Sequence, residues 1–302
     1  MTEVVQVVVS AATVGSVLGL VALGYNLVFS ATRIVNFAQG TMLVVAGYTA
    51  YALTRQGAPI WVAFLLTVVL SAAFGALVEI VAIRPLGRFD PSHNVGWVLT
   101  TFAVTLVSID LVRLAVDAEP HALPDLVGSV FGWRQSTVAG VPVTATDVAI
   151  VVGAVVLMFV TEALQRRTTL GRAFRAVAQD RRTASLMGIN PSAVVLTTFA
   201  VAGALAAVAA VLLAPKLFVR LDNGELLGVQ AFVAAVLGGL GSTRGAVVGG
   251  YLIALTSAVV KTVEVGGTTF VQWEPLVVFA VFMLVLVLRP NGLYGAAEVD
   301  KA

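Results

Sequence analysis

Apolar residues fill long runs of this chain, and polar residues gather in the short spaces between them. The runs fall at residues 4–29, 35–54, 59–83, 95–116, 146–165, 191–214, 229–262 and 274–289. A helix needs about 20 mostly apolar residues to cross the hydrocarbon of a bilayer, so the runs predict membrane stretches. Glycine and alanine recur within them, and the strict alternation of a membrane β-barrel is absent. That pattern predicts helices packed through small faces. The expected fold is all-α: a polytopic transmembrane helical bundle with about eight membrane stretches, one domain over residues 1–302.

Two interruptions predict one or two broken or re-entrant helices. One is Ser30-Ala31-Thr32-Arg33-Ile34-Val35-Asn36-Phe37-Ala38-Gln39-Gly40, polar residues between two apolar runs. The other is Gly238-Gly239-Leu240-Gly241-Ser242-Thr243-Arg244-Gly245, a glycine cluster inside the run 229–262. Irregular backbone at membrane depth persists only where protein buries it or where it lines a cavity. Paired breaks of this kind in transporters point to the solute route. A plain surface loop is an equal reading for residues 30–34, whereas the short runs beside 238–245 favour a re-entrant piece.

Composition removes the soluble alternatives. Only 11% of residues are charged and 59% are hydrophobic, with a mean hydropathy of +0.99, against about 25% charged in soluble domains. The net charge of +2 does not suggest nucleic acid. The chain has no cysteine, which excludes disulfides and thiolate chemistry. His93 and His121 fall in separate loops, so no metal site is expected. The first basic residue is Arg33, beyond the first apolar run. A signal peptide begins with a positive region, so the first helix is expected to stay.

The charges also sort the loops. Arg84 and Arg88 mark loop 84–94, Arg289 opens the tail, and residues 166–190 carry Arg166, Arg167, Arg172, Arg175, Arg181 and Arg182 against Asp180. These segments are expected on the cytoplasmic side. Loop 117–145 carries Asp117, Glu119 and Asp125 against Arg134 and is expected outside, as is the N-terminus.

Tests for resident chemistry fail. The glycine cluster lacks the Lys-Ser or Lys-Thr pair of a Walker A loop, so any ATP must be hydrolysed elsewhere. Asp110 and Arg113, three residues apart, read as a structural pair. Glu79 is within reach of Arg84, and Lys261 with Glu264 marks an outer helix end. No helix carries an ionisable series of the kind that builds a proton or sodium relay. H-E-x-x-H and G-x-S-x-G patterns are absent, which argues against an intramembrane enzyme.

The basic segment 166–190 predicts one short helix from Gly171 through Asp180 to Met187, stopped by Gly188-Ile189-Asn190-Pro191. Phe174, Val177, Ala178 and Arg181 share a face. A helix lying across the cytoplasmic side to receive a partner explains this pattern. A basic loop held on anionic lipid explains only the arginines.

Four blocks together resemble the branched-chain amino acid ABC transporter permease family, specifically its LivH-type subunit. Arg33-Ile34-Val35-Asn36-Phe37-Ala38-Gln39-Gly40 is similar to the "NFAHG" signature. Residues 171–190 resemble the cytoplasmic coupling segment, Phe232 to Ser242 the glycine-rich block, and Arg289-Pro290-Asn291-Gly292-Leu293-Tyr294-Gly295 the "RPxGLxG" ending. They run in order from near residue 25 to 295. Gln39 stands where the familiar signature has His, so this position cannot titrate near neutral pH.

The resemblance implies a permease in a bacterial inner membrane, importing branched-chain or other amino acids or related small solutes. It would pair with a second, LivM-like permease, two cytoplasmic ATPase subunits that hold ATP and Mg, and an extracytoplasmic substrate-binding protein. It also places coupling at Gly171, Arg172, Arg175, Ala176, Asp180, Ala184, Met187, Gly188 and Ile189. The candidate pathway residues are Asn36, Phe37, Gln39, Gly40, Gly238, Gly239 and Gly241, with Asn26 read either as pathway or as a helix–helix hydrogen bond. The alternative function is a stand-alone channel or secondary transporter for a small polar solute.

Overall fold

A computed structural model describes residues 2–86, 96–116, 119–131, 135–138, 140–265 and 268–295. Arg88, His93, Asp117 and Arg134 lie outside these residues. The described chain is a helical bundle with two small antiparallel ribbons, β1 (Gln135–Val138) with β2 (Val141–Thr144) and β3 (Glu264–Val265) with β4 (Thr268–Thr269). Seven helical stretches are long and apolar enough to cross a membrane. They are α1 (Thr2–Thr32), α3 (Ile60–Val78, prolonged to Leu86), α4 (Gly96–Ala115), α6 (Ala145–Arg167), α9 (Pro191–Leu217), α11 (Thr243–Thr262) and α12 (Glu274–Leu288, preceded by a turn from Phe270).

Two further helices are short. α2 (Gln39–Arg55) has 17 residues and α10 (Asn223–Gly238) has 16. At about 1.5 Å per residue they reach about 25 Å, less than the roughly 30 Å hydrocarbon core. The single run expected over 229–262 is therefore two helices, α10 and α11, separated by the glycine turn. The loop expected over 117–145 also holds more structure than its charges suggested: a short helix α5 (Leu126–Phe131) and the first ribbon.

α1 and α9 form the centre, with 67% of their apolar windows buried, against 11% for α4 and 6% for α12. The outer helices thus present Leu, Val and Phe side chains to lipid or to a partner. Small residues permit the central contacts. A Cβ added to Gly250 of α11 would lie 2.6 Å from the Gly19 nitrogen and 3.0 Å from the Gly15 carbonyl oxygen of α1. Only glycine at 250 lets these two backbones meet, the small-residue packing that helices use in lipid.

Side-chain contacts tie the helices together at both ends of the bundle. At one end His121 stacks on Tyr51 and bridges to Val219, and Lys261 pairs with Glu274. At the other end the base of α6 meets the start of α11 through Arg244 and Glu162, 3.1 Å apart. The second end carries the arginine-rich segment.

Candidate functional site: two interrupted crossings and the basic segment

The first interruption begins where α1 stops. The Thr32 hydroxyl donates to the Val28 carbonyl at 2.7 Å and accepts from the Ile34 amide at 3.1 Å, and Arg33 takes φ 58°. The chain then turns back on itself. Asn36 is fully buried, and its side-chain oxygen accepts from the Ala38 amide at 3.1 Å. Gln39, also fully buried, donates from Nε2 to the carbonyl of Ala202, near the middle of α9, at 3.2 Å. The same amide packs on Gly24 of α1. Since α1 continues about 12 Å beyond Gly24 at the helical rise, α2 starts inside the bundle, short of the end of α1.

At this depth α2 crosses α10 backbone to backbone. A Cβ on Gly228 would sit 2.8 Å from the Gly40 Cα, and Gly40 in turn abuts the Gly224 carbonyl. Phe37 leaves the bundle: its ring is 38% exposed, stacked on Trp97 at 6.2 Å and tilted against Phe232 at 6.1 Å. Neither α2 nor α10 has a side chain capping its first turn. The Asn36 Nδ2 and Gln39 Oε1 atoms are buried with no hydrogen-bond partner. Leaving buried polar groups unpaired is costly, and doubly so where no water competes.

The second interruption is a turn at the end of the bundle that carries the basic segment, where Gly239 (φ 106°) and Gly241 (φ 89°) adopt backbone that L side chains rarely take. Its polar groups are used internally. Asn26 donates to the Ser242 carbonyl at 2.8 Å and the Gly239 carbonyl at 3.4 Å, and its oxygen accepts from the Gly241 amide at 3.3 Å. The Leu293 and Tyr294 amides donate to the carbonyls of Leu237 and Gly238 at 2.9 Å each. The structure thus gathers Asn26, Gly238, Gly239 and Gly241 into one knot with the C-terminal segment, while Asn36, Phe37, Gln39 and Gly40 form a second group at the start of α2.

The basic segment is not one helix. It breaks at Asp180 into α7 (Thr169–Gln179) and α8 (Arg181–Leu186). Asp180 takes extended backbone, and its carboxylate accepts from the Arg182 and Thr183 amides at 2.7 and 3.1 Å. An aspartate N-cap competes well with continued helix, which is why the continuous pattern misled. Those hydrogen bonds, led by the one from the Thr183 amide, hold its pKa below the ordinary carboxylate range. The predicted stop is present: Gly188 has φ 81°, and Asn190 caps α9 through the Ala193 amide.

Within the segment Val177 and Ala184 are buried, Phe174 packs on the core, and Gly171 lies on the Leu164 and Gln165 carbonyls. Arg175 donates to the Gln165 carbonyl, while the Gln165 side-chain oxygen accepts from the Thr243 hydroxyl at 3.3 Å. Leu186 and Met187 stand exposed at 82% and 76%. Arg172, Ala176 and Ile189 complete the predicted set on the same two helices and the turn that follows.

Other charges pair locally. Glu79, buried on the π-helical turn after α3, binds Arg84 at 3.0 Å, and exposed Asp110 binds Arg113 at 3.2 Å. The sequence reading missed Asp147. This buried residue of α6 accepts from Thr13 of α1 at 2.9 Å and from Thr144 at 2.7 Å, and it pairs with Lys216 of α9. Only the Thr144-x-x-Asp147 spacing of a capping box signalled it beforehand.

Seven helices long and apolar enough to cross a membrane, two shorter apolar helices and a basic helical segment at one end define, among the described residues, a polytopic membrane bundle. The family model for the branched-chain amino acid transport system permease component matches residues 7–286. The chain is 34% identical to the high-affinity branched-chain amino acid transport permease BraD of Pseudomonas aeruginosa, over 98% of this chain and 97% of that one. It is 32% identical to LivH of Escherichia coli K12, covering 96% and 94%. A solved metal-chelate type ABC transporter in an inward-facing conformation shares the fold at TM-score 0.51 and 15% identity, over 94% of this chain and 85% of that one. The chain belongs to the branched-chain amino acid ABC transporter permease family and is of the LivH type. It is a multi-pass membrane transport subunit.

Proposed function

We propose that this permease carries branched-chain amino acids, as its relatives' names describe for them, along a route that passes the break between α1 and α2. The observation that carries this reading is the start of α2 inside the bundle, where fully buried Gln39 meets Ala202 of α9. A helix N-terminus offers free amide donors and a positive dipole end. Discontinuous membrane helices use that end to receive anionic groups of a solute. The Gln39 amide already donates to the Asn36 carbonyl, so the carboxylate of an amino acid would take the Gly40 and Thr41 amides, and Phe37, with Trp97 and Phe232, supplies an apolar surface for an aliphatic side chain. Phe37 projects out of the single subunit, so a second related permease would close the route.

Energy would come from two cytoplasmic ATPase subunits that hold ATP and Mg, with an external binding protein supplying the solute. Support comes from α7 and α8. Asp180 and Arg175 are occupied in shaping the segment, whereas Leu186 and Met187 are presented outward. We therefore place the ATPase contact on Leu186 and Met187, with Arg182 of the same short helix, and give Asp180 and Arg175 positioning roles. The glycine turn with Asn26 acts as a joint that moves as a unit, not as a solute ligand.

Co-purification tests the assignment. Tagged chain from native membrane should bring a second permease and ATPases, and Leu186→Asp with Met187→Asp should shed the ATPases while keeping the permease. Recovery of the chain alone under gentle detergent would favour the stand-alone channel.

A further inference from the structure

A cavity of about 190 Å³ opens at the cytoplasmic end of the bundle, between α1, α6, α7 and α9. Its wall is apolar, formed by Leu27, Leu164, Leu170, Phe174, Val194 and Val201 among others. The mouth is open: Leu164, Leu170, Ala193 and Thr197 are exposed. From Thr161, at the inner end, to Arg167 is about 9 Å along α6. The cavity therefore occupies the depth of acyl chains just under the cytoplasmic headgroups.

Two arginines flank that mouth. Arg167 adjoins Thr168 and Arg172 adjoins Gly171, both lining residues, and both arginines are exposed. Their neighbours are engaged, Arg166 with Glu162 and Arg175 with the Gln165 carbonyl. The Arg167 and Arg172 side chains make no ion pair or hydrogen bond among the described residues. An apolar slot at acyl depth beneath two unengaged guanidinium groups is complementary to a lipid with an anionic headgroup.

We propose that this cavity is a binding site for an anionic phospholipid of the inner leaflet, one acyl chain entering between α6 and α9 and the phosphate meeting Arg167 and Arg172. The lipid would rest on Leu170 and Phe174, at the root of the cytoplasmic segment. Its occupancy then sets how firmly α7 sits on α6 and α9.

The test uses the full chain in detergent micelles doped with phosphatidylglycerol or with phosphatidylcholine of the same acyl chains. Bound phospholipid is counted by native mass spectrometry, and the thermal midpoint is followed in parallel. Phosphatidylglycerol is expected to bind and raise the midpoint, and phosphatidylcholine to do neither. Thr197→Trp, which fills the slot, and Arg167→Gln with Arg172→Gln, which removes the charge, should each weaken binding by about tenfold, the equivalent of a few lost methylene contacts. If Thr197→Trp does not fold, Ala193→Leu blocks the same mouth. Equal binding of the two lipids, or phosphatidylglycerol binding unchanged in the slot-filling and charge-removing variants, overturns the proposal. So does binding that vanishes when the ATPase and permease partners are present, which would show the mouth covered by protein.

Discussion

The Thr243 hydroxyl, at the start of α11, donates to the Gln165 side-chain oxygen, near the end of α6, at 3.3 Å. Gln165 also accepts Arg175 of α7 on its carbonyl. One residue thus joins the cytoplasmic segment to the turn that Asn26 and the C-terminal segment brace. Gln165→Ala should lower ATP-driven uptake by about tenfold, within the range that network residues carry, with ATP hydrolysis by the assembled complex nearly unchanged. The ratio of solute moved to ATP consumed is the readout. A matching fall in both activities would make Gln165 merely structural.

Asp147 and Lys216 form the deepest pair of the opposite end, with Asp147 4% exposed. Removing one partner of a buried pair leaves an uncompensated charge. Asp147→Ala is expected to cost about 3 kcal/mol, the lower part of the buried-pair range because Lys216 keeps partial solvent access. Asp147→Ala with Lys216→Ala should cost less than the single change. Denaturant unfolding in detergent checks the order of the three proteins.

Asp180 gives a pH signature. Its folded pKa lies below its unfolded one, so the cap contributes stability that is present above the unfolded pKa. That contribution disappears as pH falls through the folded value. Amide exchange at Arg182 and Thr183 should accelerate in acid beyond the intrinsic trend. Asp180→Asn, which caps without titrating, should flatten the response.

Gly250 tests the packing of the centre. Gly250→Leu puts a side chain where the α1 backbone stands and is expected to destabilise by about 1–3 kcal/mol or more. Gly250→Ala should lose less. Loss of monodisperse protein on size exclusion reports the effect, and wild-type behaviour of the leucine variant would contradict the close contact of α1 with α11.

Much of this architecture was readable because lipid allows few solutions. Apolar runs gave the long helices, and Gly188 with Pro191 gave the boundary before α9. The polar letters from Ser30 to Gly40 marked a break, but not its depth, which depends on Gln39 meeting Ala202 of a distant helix. The break at Asp180 was hidden because helix-forming residues continue on both sides and only the local cap decides. Asp147 with Lys216 was invisible for a different reason: their partnership exists only after α1, α6 and α9 converge. Met187 stood among the expected coupling residues, whereas the exposure of Leu186 beside it is visible only in the fold.

The most direct measurement is solute uptake by liposomes containing this chain with its second permease, two ATPases and external binding protein. Labelled leucine should accumulate only with ATP inside the assembly's reach, and Leu186→Asp with Met187→Asp should abolish accumulation while leaving the two permeases together. Leucine movement by this chain alone, without ATP, would contradict the account.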